Sequence, residues 1–369
     1  MEKIKETFAT EYTEILARID QIEPIKYGQT RNFIDGAVTR LSPYISRGVI
    51  STAQVLEITL NRGFNPGEIK KFIQELAWRD YWQQVWIARS DEINEDLKQP
   101  QSEVTNFAMP QSIIEGNTGV QAIDDAIGEF YQTGYLHNHL RMYIASMACN
   151  MGKSHWKVPA KWMYYHLLDG DWASNALSWQ WVCGANSNKK YFANQENINT
   201  YCYTNQQGTF LDVPYDHFSD MDIPEALAEI SLPELTVILP ESERLQTDSE
   251  KPTLIYNFYN LDPQWHSDWD ANRILLLEPS VFHQYPVSPK SIEFILKLSQ
   301  NIPGIQVYTG EFWELEAKYG LTDIYYKEHP LNKTYRGTKE SRDWMFKVTG
   351  YYPSFFAFWK KCEKEMQQW

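Results

Sequence analysis

Cysteine is scarce in this chain of 369 residues, and the four present, Cys149, Cys183, Cys202 and Cys362, lie too far apart to form a CxxC pair. They read as buried thiols of a reducing compartment, with convergence of all four on an iron–sulfur cluster as the alternative, and no metal-ligating set is assigned. No apolar run approaches the roughly 20 residues of a membrane helix. The charged start MEKIKETFATEYTEI also lacks the apolar centre of a secretory leader, so the chain is expected to be cytoplasmic with no membrane partner. Basic residues are few, with Lys plus Arg at 34 against Asp plus Glu at 48, a net charge of −14. Such a chain repels a nucleic-acid backbone unless its charge is unevenly spread. Internal repeats and low-complexity tracts are absent, which argues against a solenoid or a disordered chain.

Aromatic residues, by contrast, are abundant. Fourteen Trp, 23 Tyr and 17 Phe exceed what packing alone needs and suggest stacking surfaces or an enclosed ring system. The length favours two compact units. Residues 1–200 hold 19 basic and 23 acidic side chains, with apolar residues at helical spacing. Residues 211–250 hold eleven acids and only Arg244, and read as a connector. Residues 251–369 balance 14 basic against 14 acidic residues, and the runs LIYNFYNL, RILLLE, PKSIEFILKLSQNI, IQVYTG and DIYYKE alternate in a βαβ-like way. A last helix over about 353–368, SFFAFWKKCEKEMQQW, is expected to dock back, its rings serving packing rather than chemistry.

Three segments place polar and aromatic side chains on single helix faces. In ELAWRDYW, Glu75, Trp78, Arg79 and Trp82 fall at i, i+3, i+4 and i+7. The plainer reading of that stripe is an amphipathic helix with an internal Glu–Arg pair. In TGYLHNHLRMYIASMA, Asn138, Arg141, Met142 and Ala145 share a face behind a turn at Gly134, and a buried arginine needs an acid. HLLDGDWASNALSWQWVCG supplies two: Asp169 and Asp171 flank Gly170, and Asp171, Asn175 and Trp179 follow at intervals of four. A capped core helix is one reading of this segment. The other is the wall of a cofactor pocket, since Trp179 and Trp181 flank Gln180 beside polar residues that core packing excludes. Upstream, TRLSPYISRGVIS offers Thr39, Arg40 and Ser42 in a turn before a helix, an arrangement that binds phosphate and equally serves as a cap.

TRLSPYISRG, ELAWRDYW, TGYLHNHLRM and LLDGDWASNALSWQW, in this order and spacing, resemble the flavin-binding helical domain of the photolyase/cryptochrome family over about residues 25–200. The expected fold is therefore mostly α. A photolyase-like FAD-binding helical domain spans 1–205, an acidic connector 206–250, and a smaller Rossmann-like α/β domain 251–369. The motifs begin within about forty residues of Met1, so a short form without the family's N-terminal antenna domain is expected.

The resemblance implies FAD as cofactor. It implies that Thr39, Arg40, Leu41 and Ser42 line the diphosphate with Tyr27 nearby, that Arg141 pairs with Asp169, that Asp171 lies by the ribityl chain or flavin edge, and that Asn175 faces flavin N5. It further implies a lesion pocket of Glu75, Trp78, Asn138, Met142 and Trp181, with Arg79 beside it. Glu75 and Asn138 would serve both lesion and cofactor, and Glu75 would hydrogen-bond the pyrimidine carbonyl that gains charge. Trp78 and Trp181 would form a wedge with stacking faces for a flipped-out dimer.

Three departures bear on function. The relay tryptophans correspond to Trp179 and Trp156, but Glu103 stands where the outermost is usual, leaving Phe107, Trp162, Tyr164 or Tyr165 as neighbours of an exit. His139 replaces an arginine that commonly grips DNA phosphate, implying weaker, pH-dependent binding. The 251–369 unit is expected to stabilise the chain or bind a protein partner, a relocated antenna being the alternative. The function expected is light-dependent splitting of cyclobutane pyrimidine dimers in UV-damaged DNA, single-stranded or weakly held duplex. The alternatives are a cryptochrome-like blue-light photoreceptor that signals without repair and, less favoured, repair of (6-4) photoproducts, whose enzymes generally carry a histidine pair.

Overall fold

The computed structural model describes residues 8–242 and 244–367, so the first seven residues of the expected non-leader start, and the end of the expected last helix, lie outside the described residues. The apolar periodicity of the first 200 residues becomes helices α1 (Tyr12–Asp20), α2 (Thr52–Asn61), α3 (Lys70–Arg89), α4 (Gln121–Thr133), α5 (Asn138–Ser146), α6 (Lys157–His166), α7 (Trp172–Cys183) and α8 (Gln195–Cys202). Their starts are capped by short polar side chains. Ser51 Oγ accepts from Gln54 N at 2.9 Å before α2, and Asn194 Oδ1 accepts from Asn197 N at 3.0 Å before α8. Helix α4 ends at Gly134, which is left-handed (φ 72°) and packed so closely that a Cβ there would meet Leu168 Cγ at 2.7 Å.

Beyond the connector the chain forms β1 (Thr253–Tyr256), β2 (Asn272–Leu277), α9 (Pro289–Ser299), β3 (Ile305–Thr309), α10 (Phe312–Tyr319), β4 (Ile324–Lys327) and β5 (Thr338–Glu340). All five strands are parallel in the order β3-β2-β1-β4-β5. β1 and β2 are buried at every position, which is why they read as continuous apolar runs rather than alternation. The expected βαβ alternation is therefore present. β5, three residues of which two are exposed, carries no apolar signature and was not foreseen. Ile255, Ile274, Leu276, Tyr308, Phe312, Leu315 and Ile324 form one core of this layer.

Two compact units alternate along the sequence. One comprises Gln29–Val38 and Arg89–Leu235; the other comprises Phe8–Gly28, Thr39–Ala88 and the chain from Thr236 onward. Helices α4 to α8 belong to the first, and α1, α2 and nearly all of α3 belong with the parallel sheet in the second. The acidic stretch is ordered by hydrogen bonds in both. In the first unit Ile230–Ser231 pairs antiparallel with Met109–Pro110. In the second, Thr309 Oγ1 donates to Pro240 O at 2.7 Å and Gln246 N donates to Gln306 Oε1 at 2.7 Å, while Leu245 enters the sheet core. The four cysteines are free and buried, and among the described residues no helix is long and apolar enough to cross a membrane.

Helix α3 buries three polar residues, Asp80, Gln83 and Gln84, and all three hold the C-terminal segment of the same unit. Asp80 Oδ2 accepts from Met345 N at 3.1 Å, Gln83 Oε1 from Arg342 Nη1 at 2.6 Å, and Gln84 Oε1 from Gly350 N at 3.0 Å. Helix α11 (Phe355–Met366) follows, docked by Phe355, Phe358, Trp359 and Cys362. Burial pushes the Asp80 carboxyl up to about 6, against the lowering pull of its hydrogen bonds to Met345 and Thr52 and of Arg342 and Arg79. A carboxyl whose folded pKa is raised binds its proton better in the folded state. Its contribution to stability is therefore greatest below the unfolded value near 4, falls as pH rises to about 6, and is constant above. Asp80→Asn is accordingly expected to gain stability over the native chain between pH 4 and 6, by an amount on the order of 2 kcal/mol, with a plateau above. Thermal melts of both across that range check this; a difference that does not change with pH would show that Asp80 is not the group concerned.

Candidate active site

The first unit carries a polar frame built at the junction of α4, α5 and α7. Leu168 N donates to Gly134 O at 2.8 Å, which ties the turn after α4 to the LLDGD segment. Arg141 on α5 donates through Nε to Leu136 O at 2.8 Å and through Nη2 to Asp169 Oδ1 and Oδ2 at 3.0 and 2.9 Å. Asp169 is buried, so its charge is balanced by a guanidinium held in one orientation. The pair expected between Arg141 and Asp169 is thus present in the fold. Asp171 is the N-cap of α7, with Oδ1 accepting from Ala173 N at 3.1 Å and Oδ2 from Ser174 Oγ at 3.0 Å. One turn on, Asn175 donates its amide N–H to Ala160 O at 2.8 Å, and its oxygen remains an acceptor of the kind a ring N–H requires.

The next turn of α7 separates Trp179 from Trp181. Trp179 is 2% exposed and Trp181 39%, with the Trp181 ring 6.1 Å from that of Tyr191. Gln180 between them donates to Ile93 O at 2.9 Å and accepts from Leu97 N at 3.0 Å. A fully buried amide thus fastens the loop before residue 98. Asn138 opens α5 in an exposed position, and Met142 is half-buried.

His139 also differs from expectation. Its Nδ1 lies 2.9 Å from Asn32 O, and because a carbonyl only accepts, Nδ1 carries the proton. The ring packs against Tyr143 and Tyr201 at 4.5 and 4.6 Å. Burial, with Arg31 adding to it, holds the imidazole pKa below its ordinary value, so the neutral form prevails at pH 7. It is a packing residue rather than a pH-dependent phosphate grip.

Around α6, Trp156 donates Nε1–H to Asp96 Oδ1 at 2.7 Å and lies 6.5 Å from Trp172, which in turn lies 5.5 Å from Tyr164. Trp172 was not singled out by sequence reasoning; its position directly after the Asp171 cap was the available signal. Glu103, which stands where the resemblance leads one to expect an outer tryptophan, is paired with Lys190 and Lys153. Phe107, highly exposed, stacks on His155 at 5.2 Å.

In the second unit the turn before residue 43 has a distinct backbone. Arg40 is left-handed (φ 54°) and Leu41 right-handed (φ −88°, ψ −9°), successive conformations of opposite hand that make a concave nest of N–H groups suited to anionic oxygens. A non-glycine residue held left-handed costs about 1 kcal/mol or more, and such strain collects at ligand sites. Thr39 Oγ1 accepts from Leu41 N at 3.3 Å, and Ser42 opens the next short helix. Tyr27 packs edge-on to Phe72 at 5.4 Å. On α3, Glu75 pairs with Lys71 at 2.7 Å, and Arg79, expected to bind substrate, donates to Ser46 Oγ at 2.6 Å. Trp78 departs most: Phe355 of α11 stacks on its indole at 3.8 Å between centroids and 10° between planes. The face expected to receive a base is covered by a ring of the chain itself.

In the first unit the acceptor amide and the arginine braced by an aspartate are groups of the kind a flavin ring N–H and polar chain call for, and in the second unit the backbone nest is of the kind that holds phosphate oxygens. Residues 72–214 match the model of the FAD binding domain of DNA photolyase. This part of the chain is similar to the flavin-binding domain of the photolyase/cryptochrome family. A deoxyribodipyrimidine photo-lyase of Streptomyces griseus is 32% identical over 155 residues, 42% of this chain and 34% of the relative. One from Thermus thermophilus is 34% identical over 166 residues, 43% of this chain and 38% of the relative. The chain thus spans little more than a third of the length of these relatives. A cryptochrome of Synechocystis sp. aligns in three dimensions over 53% of this chain and 44% of its own, at 23% identity and a TM-score of 0.46.

Within this photolyase-like helical region the cap at α7 is open to a direct test. Asp171→Ala removes both side-chain bonds at the helix start and is expected to lower stability by about 1 kcal/mol, read as a lower Tm. An unchanged Tm would show that the cap bonds do not hold this turn.

Proposed function

We propose that this chain binds FAD and uses it in light to split cyclobutane pyrimidine dimers in DNA. The observation that carries the reading is the amide of Asn175: its nitrogen is committed to Ala160, its oxygen is left as acceptor, and the buried indole of Trp179 follows one turn on. Reduced and excited by blue light, bound FAD supplies an electron to the dimer and recovers it once the two cyclobutane C–C bonds have broken.

The remaining work belongs to side chains. In the first unit, Asn175 accepts from flavin N5–H, Asp171 and the Arg141–Asp169 pair present fixed charge and hydrogen-bonding groups to the cofactor, and Trp179 with Trp156 supplies electrons for flavin reduction. Trp181 offers a stacking face, Met142 an apolar contact, and exposed Asn138 an amide for the lesion or cofactor. In the second unit, Thr39, Arg40, Leu41 and Ser42 hold diphosphate oxygens, with Tyr27 beside them, and Glu75 hydrogen-bonds the pyrimidine carbonyl that gains charge. The neutral, packed state of His139 favours single-stranded over duplex substrate, because a phosphate grip on the duplex is missing. The buried free thiols suit the cytoplasm.

Two observations favour a second reading. Phe355 on Trp78 and the ion-paired Glu103 of the relay both suit a cryptochrome-like photoreceptor that signals without repair, with a protein partner at the C-terminal unit. One substitution separates the readings, and a second tests the flavin placement they share. Glu75→Ala is expected to lower blue-light repair yield by about tenfold or more while the flavin spectrum stays intact; loss of FAD instead would make Glu75 structural, and unchanged repair would remove it from catalysis. Asn175→Asp is expected to move the bound flavin's reduction potential to more negative values, because a carboxylate at N5 opposes added negative charge. A redox titration identical to the native one would refute the placement of Asn175.

A further inference from the structure

We propose that the outward face of α11 is a contact surface for single-stranded DNA, an extension of the repair reading to a part of the chain that reading does not use. The helix has two unlike sides. Phe355, Phe358, Trp359 and Cys362 are buried. Phe356, Lys360 and Lys364, spaced by four, form one exposed stripe with exposed Lys361 beside it. Phe356 is 68% exposed, a large ring left in water at the head of a row of ammonium groups.

Charge bookkeeping favours an anionic strand. Both acids of α11 are engaged: Glu363 pairs with Lys70, and Glu365 accepts from Lys347 N at 3.1 and 3.2 Å. Lys360, Lys361 and Lys364 enter no ion pair among the described residues, and with Glu363 paired to Lys70 they stand against the single carboxylate of Glu365, so the outward face is net positive on a chain of net −14. Lys360 and Lys364 stand one turn apart, about 6 Å along the axis, suited to successive points on a backbone. Phe356 adds a π-face for a base, the combination of ring and cation that binds single strands without sequence preference. A membrane surface is a poor fit, because the apolar side of the helix is already spent on the protein and only one ring faces outward. The surface also supplies what two expected contacts do not, since the Trp78 face is covered and His139 is packed and neutral.

The test uses the full chain and a fluorescent, undamaged single-stranded oligothymidylate at low salt. Lys360→Glu/Lys361→Glu/Lys364→Glu is expected to weaken binding at least tenfold and to flatten the plot of log affinity against log salt by about 2. Phe356→Ala is expected to weaken it about fivefold with the salt slope unchanged. Flavin spectrum and Tm should stay native, the positions being exposed. Native affinity and slope in the triple variant would overturn the proposal, as would equal loss for an anionic phospholipid vesicle or for a polyglutamate probe, which would mark a general anion surface. The repair reading stands or falls separately: light-driven repair with unaltered binding in these variants would remove the α11 surface alone, and oligonucleotide binding through α11 without any repair would remove only the activity.

Discussion

The C-terminal segment depends on three buried acceptors of α3. Asp80, Gln83 and Gln84 would each leave a buried polar atom without a partner if residues 342–350 were elsewhere, at about 1–3 kcal/mol apiece. That cost fixes the path of the segment and delivers α11 onto the aromatic row of the same helix. Tyr81 Oη donates to Tyr352 O at 3.1 Å, and the Phe355 ring comes to rest on Trp78. The charge on Asp80 is the expensive part of the arrangement, as its raised pKa records. A helix that in isolation looks amphipathic is thereby covered along a face that carries polar groups as well as rings.

Much of this was legible in the sequence where local pattern and chemistry agree. Helical periodicity, the Gly134 turn and the DGD cap found α4 to α7, and the requirement of a buried arginine for an acid found Arg141 with Asp169. The buried strands β1 and β2 announced themselves as apolar runs. What escaped depends on contacts distant in sequence. Nothing in ELAWRDYW tells that Phe355, some 280 residues later, will lie on Trp78. Nor does it tell that a loop backbone at Ile93 and Leu97 satisfies the buried amide of Gln180. His139 looked titratable because its residue type is; burial beside two tyrosine rings, with Arg31 adding to it, keeps it neutral against the opposing pull of the Asn32 carbonyl. The interleaving of the two units along the chain is likewise invisible to composition, which marks the acidic stretch as a connector although its two halves are hydrogen-bonded in different units.

The polar and the aromatic groups of this chain are held in different ways. The polar groups that suit a flavin lie on short, capped and cross-braced elements, so their geometry is set by the fold before any ligand arrives. The aromatic surfaces differ in availability: Trp181 is partly open and Trp78 is closed by the chain's own phenylalanine. If the proposed repair activity holds, the loss of the Trp78 face leaves a flipped base fewer stacking surfaces, which is why that proposal favours an already unpaired substrate.

The most direct measurement is blue-light reversal of a thymine dimer in a defined oligonucleotide by the full chain, with bound flavin chemically reduced beforehand so that the electron relay plays no part. Single-stranded and duplex substrates are compared at low salt. The account expects light-dependent recovery of the thymines, faster on the single strand. Full flavin occupancy with no reversal on either substrate would contradict it and leave a flavin photoreceptor in its place.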